Sequence, residues 1–171
     1  SNCDLKIADF GLSRVEFTRQ HLNTGPMTEY ICTRWYRAPE ILCSASSYGP
    51  AMDVWSIGCI FAELLSRQPL LPGKNTKHQL ELTLKLLGLP SKREVQSIEN
   101  PKCRQFIQSF ENIVPQGGVI ERLKDRLPAE TPNSALELVA RMLTFSSDHR
   151  LSVNQAIQHA YVQDLYCPED E

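Results

Sequence analysis

Three residues near the start of the chain, Asp9, Phe10 and Gly11, could take part in phosphoryl-transfer chemistry. They follow a stretch in which Leu5 and Ile7 alternate with polar residues, the two-residue period of a half-buried strand. An aspartate directly after a strand can hold a Mg²⁺ ion that bridges nucleotide phosphates, because carboxylate oxygens suit that hard cation. Gly11 permits a sharp change of backbone direction. Taken alone, the triplet is equally compatible with an ordinary turn.

A second triplet, Ala38-Pro39-Glu40, lies about 30 residues downstream and makes the first one informative. Two such triplets at this distance resemble the start and end of the activation segment of a eukaryotic protein kinase. Residues 9–40 are therefore identified as a kinase activation segment. The polar, unpatterned stretch 16–25 is then a loop within it.

Two runs inside this segment indicate which group of protein kinases the sequence resembles. They are Thr28-Glu29-Tyr30 and Trp35-Tyr36-Arg37-Ala38-Pro39-Glu40. The second run is similar to the group that holds the cyclin-dependent and mitogen-activated protein (MAP) kinases. The first is similar to the dual-phosphorylation motif of MAP kinases of the extracellular-signal-regulated type, and Arg34 agrees, since cyclin-dependent kinases usually carry leucine there. The resemblance implies a Ser/Thr kinase that uses ATP and Mg²⁺ to phosphorylate Ser/Thr-Pro sites in proteins.

The resemblance also implies roles in the reaction for individual residues. Asp9 would hold the metal ion and, through it, ATP. Thr33 would help to orient the catalytic aspartate, which is not part of this sequence. Arg37 and its neighbours would shape the pocket for the residue after the phosphoacceptor, which MAP kinases select as proline.

Thr28 and Tyr30 match the two regulatory phosphorylation sites, which an upstream dual-specificity MAP kinase kinase and phosphatases would modify. Each phosphate adds about −1.5 to −2 charges and strong acceptor oxygens. Arg34 and Arg37 follow Tyr30 closely enough to clamp a phosphotyrosine, and Arg14 is the family-matched partner for a phosphothreonine. We expect phosphorylation to order the segment. The alternative is that these arginines only solubilise a loop.

Three charged residues are assigned structural roles by the resemblance. Asp53 begins a run similar to the buried central helix of the kinase C-terminal lobe, residues 53–67, and its carboxylate would bind the backbone of the catalytic loop. Glu40 and Arg150 are expected to form a buried ion pair between the activation segment and the last helical layer. A guanidinium group matches a carboxylate with two parallel hydrogen bonds.

The C-terminal residues Asp170 and Glu171 match two positions of the acidic docking patch of MAP kinases. Cys167 stands where the first acid of that patch is usual, and a solvated acidic tail is the alternative interpretation. Thr76 and Lys77 replace the bulky apolar residues of a second docking pocket, so the sequence departs from the family there.

The apolar pattern predicts a mainly α fold in one domain, and the resemblance implies that this fold is the C-terminal lobe of a protein kinase. The Pro- and Gly-rich stretch 88–131 is the least regular part, with one amphipathic piece at 119–127, and corresponds to the insert of MAP kinases; 132–171 holds the closing helices and the acidic tail. Four helices are marked by capping residues. A helix at 54–65, capped by Asp53, is apolar on nearly every side, and a helix capped by Asn75 or Thr76 carries Leu80, Leu84 and Leu87 on one face. Ser134 with Glu137 caps a helix that buries Leu136, Val139, Ala140 and Leu143. Ser152 with Gln155 caps the last helix, with Ala156 and Ile157 inward.

Charge, apolar run length and cysteine spacing indicate the cellular compartment and the classes of partner to expect. A net charge of −2 argues against a dedicated nucleic-acid or membrane-surface binder. No signal peptide is visible, and the longest apolar run, 54–62, is far shorter than the ~20 residues of a spanning helix. The six cysteines are scattered without a C-x-x-C pair, so we expect reduced, structural thiols in a cytoplasmic and nuclear protein.

The sequence contains no glycine-rich phosphate loop, no strand lysine and no H-R-D catalytic loop. Those parts supply the phosphate cradle, a second metal ligand and the base of a kinase. The sequence is therefore expected to be a fragment that is inactive alone. The competing hypothesis is a truncated or pseudokinase-like module that docks partners without chemistry.

Overall fold

A computed structural model of the chain describes residues 6–12, 34–44, 49–110 and 117–163. These ranges contain three short 3₁₀ turns, at Phe10–Leu12, Arg34–Tyr36 and Ser147–His149, and no strand. The predicted mainly α class is confirmed. The α-helices of the described residues are α1 (Pro39–Cys43), α2 (Pro50–Ser66), α3 (Thr76–Leu87), α4 (Lys92–Ser97), α5 (Pro101–Gln108), α6 (Val119–Lys124), α7 (Asn133–Met142) and α8 (Val153–Ile157).

The first described residues, 6–9, form no regular element. The strand predicted there is wrong for this part of the chain, and Leu5 lies outside the described residues. A strand needs a neighbour to pair with its backbone N–H and C=O groups, and the described ranges hold none. Ile7 is accordingly 84% exposed.

Helix α2 begins earlier than the sequence predicted. Pro50 occupies its first turn, where a missing N–H costs nothing and the fixed φ angle suits a helix. The prediction that Asp53 caps this helix is wrong: Asp53 is exposed within the first turn, where its negative charge still favours the helix dipole. The helix ends as expected at Arg67, which takes a left-handed conformation with φ 59°.

Helix α2 packs against α7 to form the main core. Trp55, Cys59 and Ala62 of α2 are buried in one cluster with residues of α7, α6 and the loop before α3. Gly58 allows this close approach, because a Cβ atom there would lie 2.9 Å from the Cβ of Met142. None of the helices in the described ranges is long and apolar enough to cross a membrane.

The opposite face of α2 is exposed, so the prediction of a helix buried on all sides is wrong for the described structure. Ile57, Ile60 and Leu64 are 50%, 48% and 61% exposed. Their spacing of three and four residues places them on one side of the helix. No described element covers that side of α2.

Helix α3 follows its prediction closely. The Asn75 side chain caps it by accepting a hydrogen bond from the His78 N–H at 2.9 Å. Gly88 ends it with φ 88°, a backbone conformation that favours glycine. Leu80 and Leu84 are buried in a second apolar cluster, which also includes residues of α1, α4 and α5.

The region 88–131 is more regular than predicted, because it contains α4, α5 and α6. Ser91 and Glu94 form a capping box at the start of α4, with hydrogen bonds of 2.7 and 3.3 Å. The Asn100 side chain caps α5. Both are recognisable start signals in the sequence, so these two helices were predictable from residues already at hand.

The cysteines correct one expectation. Cys43 of α1 and Cys103 of α5, both buried in the second cluster, form a disulfide with their Cα atoms 5.7 Å apart. The prediction that all six cysteines are reduced is therefore wrong for this pair. Cys59 is free and buried, and burial raises the pKa of its thiol to about 12.

Of the caps predicted for the last two helices, the one for α7 is wrong and the one for α8 is confirmed. Helix α7 begins directly after Pro132, which makes no side-chain cap, so Ser134 lies inside the helix and the predicted box with Glu137 is absent. The box of Ser152 and Gln155 at the start of α8 is present, with hydrogen bonds of 2.9 and 3.3 Å.

Candidate functional site

The turn Arg34–Tyr36 is fixed to α2 by two hydrogen bonds. The Ser56 hydroxyl donates to the Tyr36 carbonyl at 2.9 Å. The Tyr36 hydroxyl donates to Oε2 of Glu63 at 2.7 Å. This hydrogen bond to a carboxylate, followed by burial, raises the pKa of Tyr36 above its ordinary value. The phenol is therefore held in its protonated, donating form.

The same turn is fixed to α3 and to the loop before it. The indole N–H of Trp35 donates to the Gly73 carbonyl at 3.0 Å. The Gln79 side chain donates from Nε2 to the Trp35 carbonyl at 3.2 Å and accepts at Oε1 from the Gly73 N–H at 3.1 Å. Gln79 is fully buried, so its contact with the Gly73 N–H is shielded from water, while the two contacts of the half-buried Trp35 are shielded in part.

Glu40 and Arg150 meet as the sequence predicted. The two guanidinium nitrogens Nη1 and Nη2 of Arg150 donate to the two carboxylate oxygens of Glu40 at 2.7 and 2.8 Å. Arg150 is 6% exposed, so its charge is removed from water and matched by this bidentate contact. Its N–H groups also donate to the backbone carbonyls of Ala51, Thr144 and Phe145 at 2.7, 3.1 and 3.3 Å.

Asp9 lies at the other described end of the segment and is exposed. Its φ angle of 63° is left-handed, an unusual conformation for a residue other than glycine. A single carboxylate fits one oxygen ligand of Mg²⁺. Among the described residues no group of three acidic, histidine or cysteine side chains gathers to hold a metal. The described part thus offers one exposed carboxylate rather than a whole metal site.

Arg34 and Arg37 lie on one turn, where the Arg37 N–H donates to the Arg34 carbonyl at 3.1 Å. Both side chains are half-buried. The Nε atom of Arg34 is buried and has no hydrogen-bond acceptor among the described residues. A buried guanidinium N–H of this kind is a donor suited to an anionic acceptor.

Asp53 is exposed in the first turn of α2, which leaves its carboxylate accessible to a further backbone donor. Lys77, at the start of α3, places its ammonium group 5.3 Å from the ring centroid of Phe106. The remaining predicted site residues lie outside the described residues, and their roles stay predictions. These are Arg14, Thr28, Tyr30, Thr33, Asp170 and Glu171.

Comparison with known proteins agrees with these features. The family model described as "Protein kinase domain" matches residues 1–162. The chain belongs to the protein kinase family. Its Glu40–Arg150 pair and fixed turn are therefore features of a kinase helical lobe, within a fold that is mainly α.

Several curated relatives of this kinase chain are MAP kinases. The chain is 46% identical over 175 residues to mitogen-activated protein kinase 15 of Mus musculus, with 100% of the chain and 30% of that protein covered. It is 43% identical over 173 residues to a mitogen-activated protein kinase of Fusarium vanettenii, covering 100% of the chain and 46% of the relative. For mitogen-activated protein kinase 4 of Oryza sativa the identity is 44% over 168 residues, with 98% and 43% covered. The chain thus spans less than half the length of these relatives.

Sequence reasoning missed the residues that hold the turn of this kinase chain, namely Ser56, Glu63, Gly73 and Gln79. Gln79 carried a weak signal, since it shares the inward face of α3 with the apolar residues Leu80 and Leu84. A polar residue at such a position must find partners when buried. Ser56 and Glu63 carried no sequence signal for their contacts with the turn, because polar residues on a long helix usually face water.

Proposed function

We propose that this chain is the C-terminal part of a MAP kinase with the Thr-Glu-Tyr motif. The full-length protein transfers the γ-phosphate of ATP, with Mg²⁺, to serine or threonine residues followed by proline. Three lines support the proposal: the spacing of Asp9-Phe10-Gly11 and Ala38-Pro39-Glu40, the motif Thr28-Glu29-Tyr30, and the identity of 43–46% to MAP kinases over the whole chain.

The observation that carries the proposal is the fixed end of the activation segment. The turn Arg34–Tyr36 is bound to α2 and α3, and Glu40 is bound to the buried Arg150. A kinase that recognises an extended peptide needs a rigid surface beside the phosphoacceptor, because misplacement by about 1 Å can cost 100-fold in rate. This end of the segment has the required rigidity.

Regulation is proposed to act on the preceding part of the same segment. Phosphorylation of Thr28 and Tyr30 supplies anionic oxygens, and the Nε atom of Arg34 is a buried donor without an acceptor among the described residues. Arg37 follows on the same turn, and Arg14 is the proposed partner of the phosphothreonine. Charge-assisted hydrogen bonds of this kind would order the segment.

In this proposal Asp9 holds the metal ion and Thr33 orients the catalytic aspartate of the full-length protein. The 171-residue chain alone is proposed to be inactive, since its sequence has neither the glycine-rich loop nor the catalytic H-R-D run. An upstream dual-specificity MAP kinase kinase and phosphatases are the proposed regulators, with Asp170 and Glu171 in a docking patch. The proposed location is the cytoplasm and the nucleus.

The test uses the full-length protein, phosphorylated by a dual-specificity MAP kinase kinase, with radiolabelled ATP and a Ser-Pro peptide. We expect Thr28→Ala, Tyr30→Phe and Arg34→Ala each to lose most of the activity, while Arg93→Ala, which removes an exposed arginine on α4, keeps it. Equal activity in all of these variants would refute the phosphorylation switch. A doubly phosphorylated wild-type protein without turnover would instead favour the non-catalytic docking module.

A further inference from the structure

The disulfide of Cys43 and Cys103 joins two helices whose cysteines are 60 residues apart in the chain. Cys43 is the last residue of α1, and Cys103 lies in the first turn of α5. Near its other end, α1 is already held by the contact of Glu40 with the buried Arg150. The disulfide therefore gives the end of the activation segment a second attachment, to a helix of the region 88–131.

The surroundings of the two cysteines suit free thiols as well as a disulfide. Cys43 and Cys103 are 4% and 8% exposed and lie in the second cluster beside Leu80, Leu84 and Ile107. A free thiol packs among such residues as a small apolar side chain. A Cα separation of 5.7 Å is also within the usual range for a disulfide. The same packing thus accommodates both forms of the pair.

The proposed location of the protein favours interconversion of the two forms. Glutathione and thioredoxin keep cytosolic thiols reduced, and disulfides found there are usually transient or redox-sensing. The expectation of interconversion rests on this part of the proposed function. Cys59, by contrast, is free and buried in the main cluster, and burial raises the pKa of its thiol to about 12, which keeps it protonated and unreactive. Among the cysteines of the described ranges, the pair is thus the reactive part.

Cys103 is the member of the pair that a small thiol reagent reaches first. The residues before it, Asn100, Pro101 and Lys102, are exposed, so opening of the first turn of α5 uncovers the sulfur. A thiolate in a first helical turn is favoured by the helix dipole, and the ammonium group of Lys102 adds positive charge nearby. Cys43 ends its helix, where the dipole gives a thiolate no such support.

We propose that Cys43 and Cys103 form a reversible redox lock, in which exchange with glutathione makes and breaks the bond between α1 and α5. In the oxidising direction, the Cys103 thiolate attacks one sulfur of glutathione disulfide, forms a mixed disulfide and releases one glutathione thiolate. The Cys43 thiolate then attacks the Cys103 sulfur, forms the Cys43–Cys103 bond and releases the second glutathione. The protein gives up two electrons and two thiol protons, which leave as two molecules of reduced glutathione, and the reverse steps reopen the bond.

The lock determines how readily α5 separates from α1. In the dithiol form, this eight-residue helix is held by apolar contacts of side chains such as Ile107 and Phe110, and a short element of this kind can open without unfolding of the whole protein. In the disulfide form, separation of α5 from α1 is blocked by a covalent bond. Oxidation should therefore slow local opening of α5 more than it slows opening of the main core.

The first test measures the exchange itself in the 171-residue chain. The protein is equilibrated in buffers that range from excess reduced glutathione to excess glutathione disulfide, the free thiols are alkylated, and mass spectrometry gives the fraction of the Cys43–Cys103 bond. We expect mostly dithiol at the reducing end and mostly disulfide at the oxidising end. A bond that survives excess reduced glutathione would be a permanent structural link, and thiols that stay free in excess glutathione disulfide would show that no lock forms. Either outcome would overturn the inference.

The exchange test requires no turnover, so its result is separate from that of the kinase assay. A phosphorylated full-length protein without turnover would refute the proposed function and leave the glutathione result unchanged. The matched variants are Cys43→Ala, which should lose the response to glutathione disulfide at Cys103 beyond a mixed disulfide, and Cys59→Ala, which removes a buried cysteine of the main cluster and should keep the response. A Cys43–Cys103 bond that no longer forms in Cys59→Ala would contradict the assignment of the pair.

The second test measures the consequence for α5 by hydrogen exchange of the oxidised and reduced parent chain. The reporters are the Arg104 and Ser109 amides, which donate to the Asn100 and Gln105 carbonyls at 3.1 and 3.0 Å. The reference is the Leu143 amide, which follows α7 in the main cluster. We expect oxidation to slow exchange of the two reporters at least about tenfold more than exchange of the reference. An equal change at all three amides, or no change at the reporters, would show that the bond does not lock α5.

Discussion

The two described ends of segment 9–40 differ in how they are held. At the far end, Arg150 is 6% exposed and binds Glu40 through both oxygens of the carboxylate. At the near end, Ile7 and Phe10 are 84% and 67% exposed, although both are large and apolar. The difference shows that the far end of the segment is stabilised by the core of this chain, whereas the near end leaves large apolar side chains exposed on its surface.

The residues of the far end contribute to the stability of the fold, whereas Asp9 at the near end is proposed to take part in the reaction. The residues that hold the far end, such as Glu40 and Tyr36, have partners on α2 or after α7 and contribute to folding. Asp9 is exposed, which suits its proposed role, because a carboxylate that holds a Mg²⁺ ion bridging nucleotide phosphates must be accessible. Substitutions at the two ends should therefore affect different observables.

The largest effect on stability is expected from breaking the Glu40–Arg150 pair. Arg150→Met or Glu40→Gln should lower the free energy of unfolding of the chain by about 3–5 kcal/mol, because the remaining group is left buried without its partner. Denaturant unfolding measures this loss. The control is Arg141→Met, since that exposed arginine lies 3.9 Å from Glu137 on the same helix and should change stability by less than about 0.5 kcal/mol.

The double variant Glu40→Gln/Arg150→Met sharpens the same test. It leaves no uncompensated charge, so it should recover part of the loss seen in the single variants. If Arg150→Met unfolds at the same denaturant concentration as Arg141→Met, the far end of the segment is not held by this pair.

A smaller effect is expected from Tyr36→Phe, which removes the hydrogen bond to Glu63. A hydrogen bond to a charged group contributes about 1.5–3 kcal/mol, and the partial exposure of Tyr36 places the expected loss near the lower value.

The direction of the pKa shift of Tyr36 determines how this stabilisation changes with pH. Because folding raises the pKa of Tyr36, its contribution is complete below pH 10, the ordinary pKa, and is lost as the pH rises through the folded-state pKa.

The measurement is chemical unfolding of the parent chain and Tyr36→Phe at pH 8 and near pH 11. The difference between the two proteins should shrink at the higher pH. A difference that grows with pH would mean that the tyrosine is not the donor to Glu63.

The sequence predicted elements whose signals are local. The cap of α3 at Asn75 and the capping box of Ser152 and Gln155 depend on residues within one helical turn, so they could be identified directly. The start of α2 could not, because Pro50 and Asp53 are both acceptable near a helix N-terminus and only the structure places the first turn. Boundaries of this kind depend on packing of the whole helix.

Long-range contacts were predictable only through family resemblance. Glu40 and Arg150 are 110 residues apart, and no local pattern joins them. The disulfide of Cys43 and Cys103 and the hydrogen bonds of Gln79 with Trp35 and Gly73 went unpredicted for the same reason, since neither the spacing of the cysteines nor the position of Gln79 on the inward face of α3 identifies a distant partner. The packing of distant segments determines both.

The central claim is that this chain supplies the metal ligand and the fixed substrate-side segment of a protein kinase, and Asp9→Asn tests it most directly. In the 171-residue chain, the variant should unfold like the parent within about 0.5 kcal/mol, because Asp9 is exposed. In the phosphorylated full-length protein, the same substitution should lower kcat at least about 100-fold, because the residue proposed to hold the metal ion loses its charge. Near-normal turnover in full-length Asp9→Asn would contradict the account.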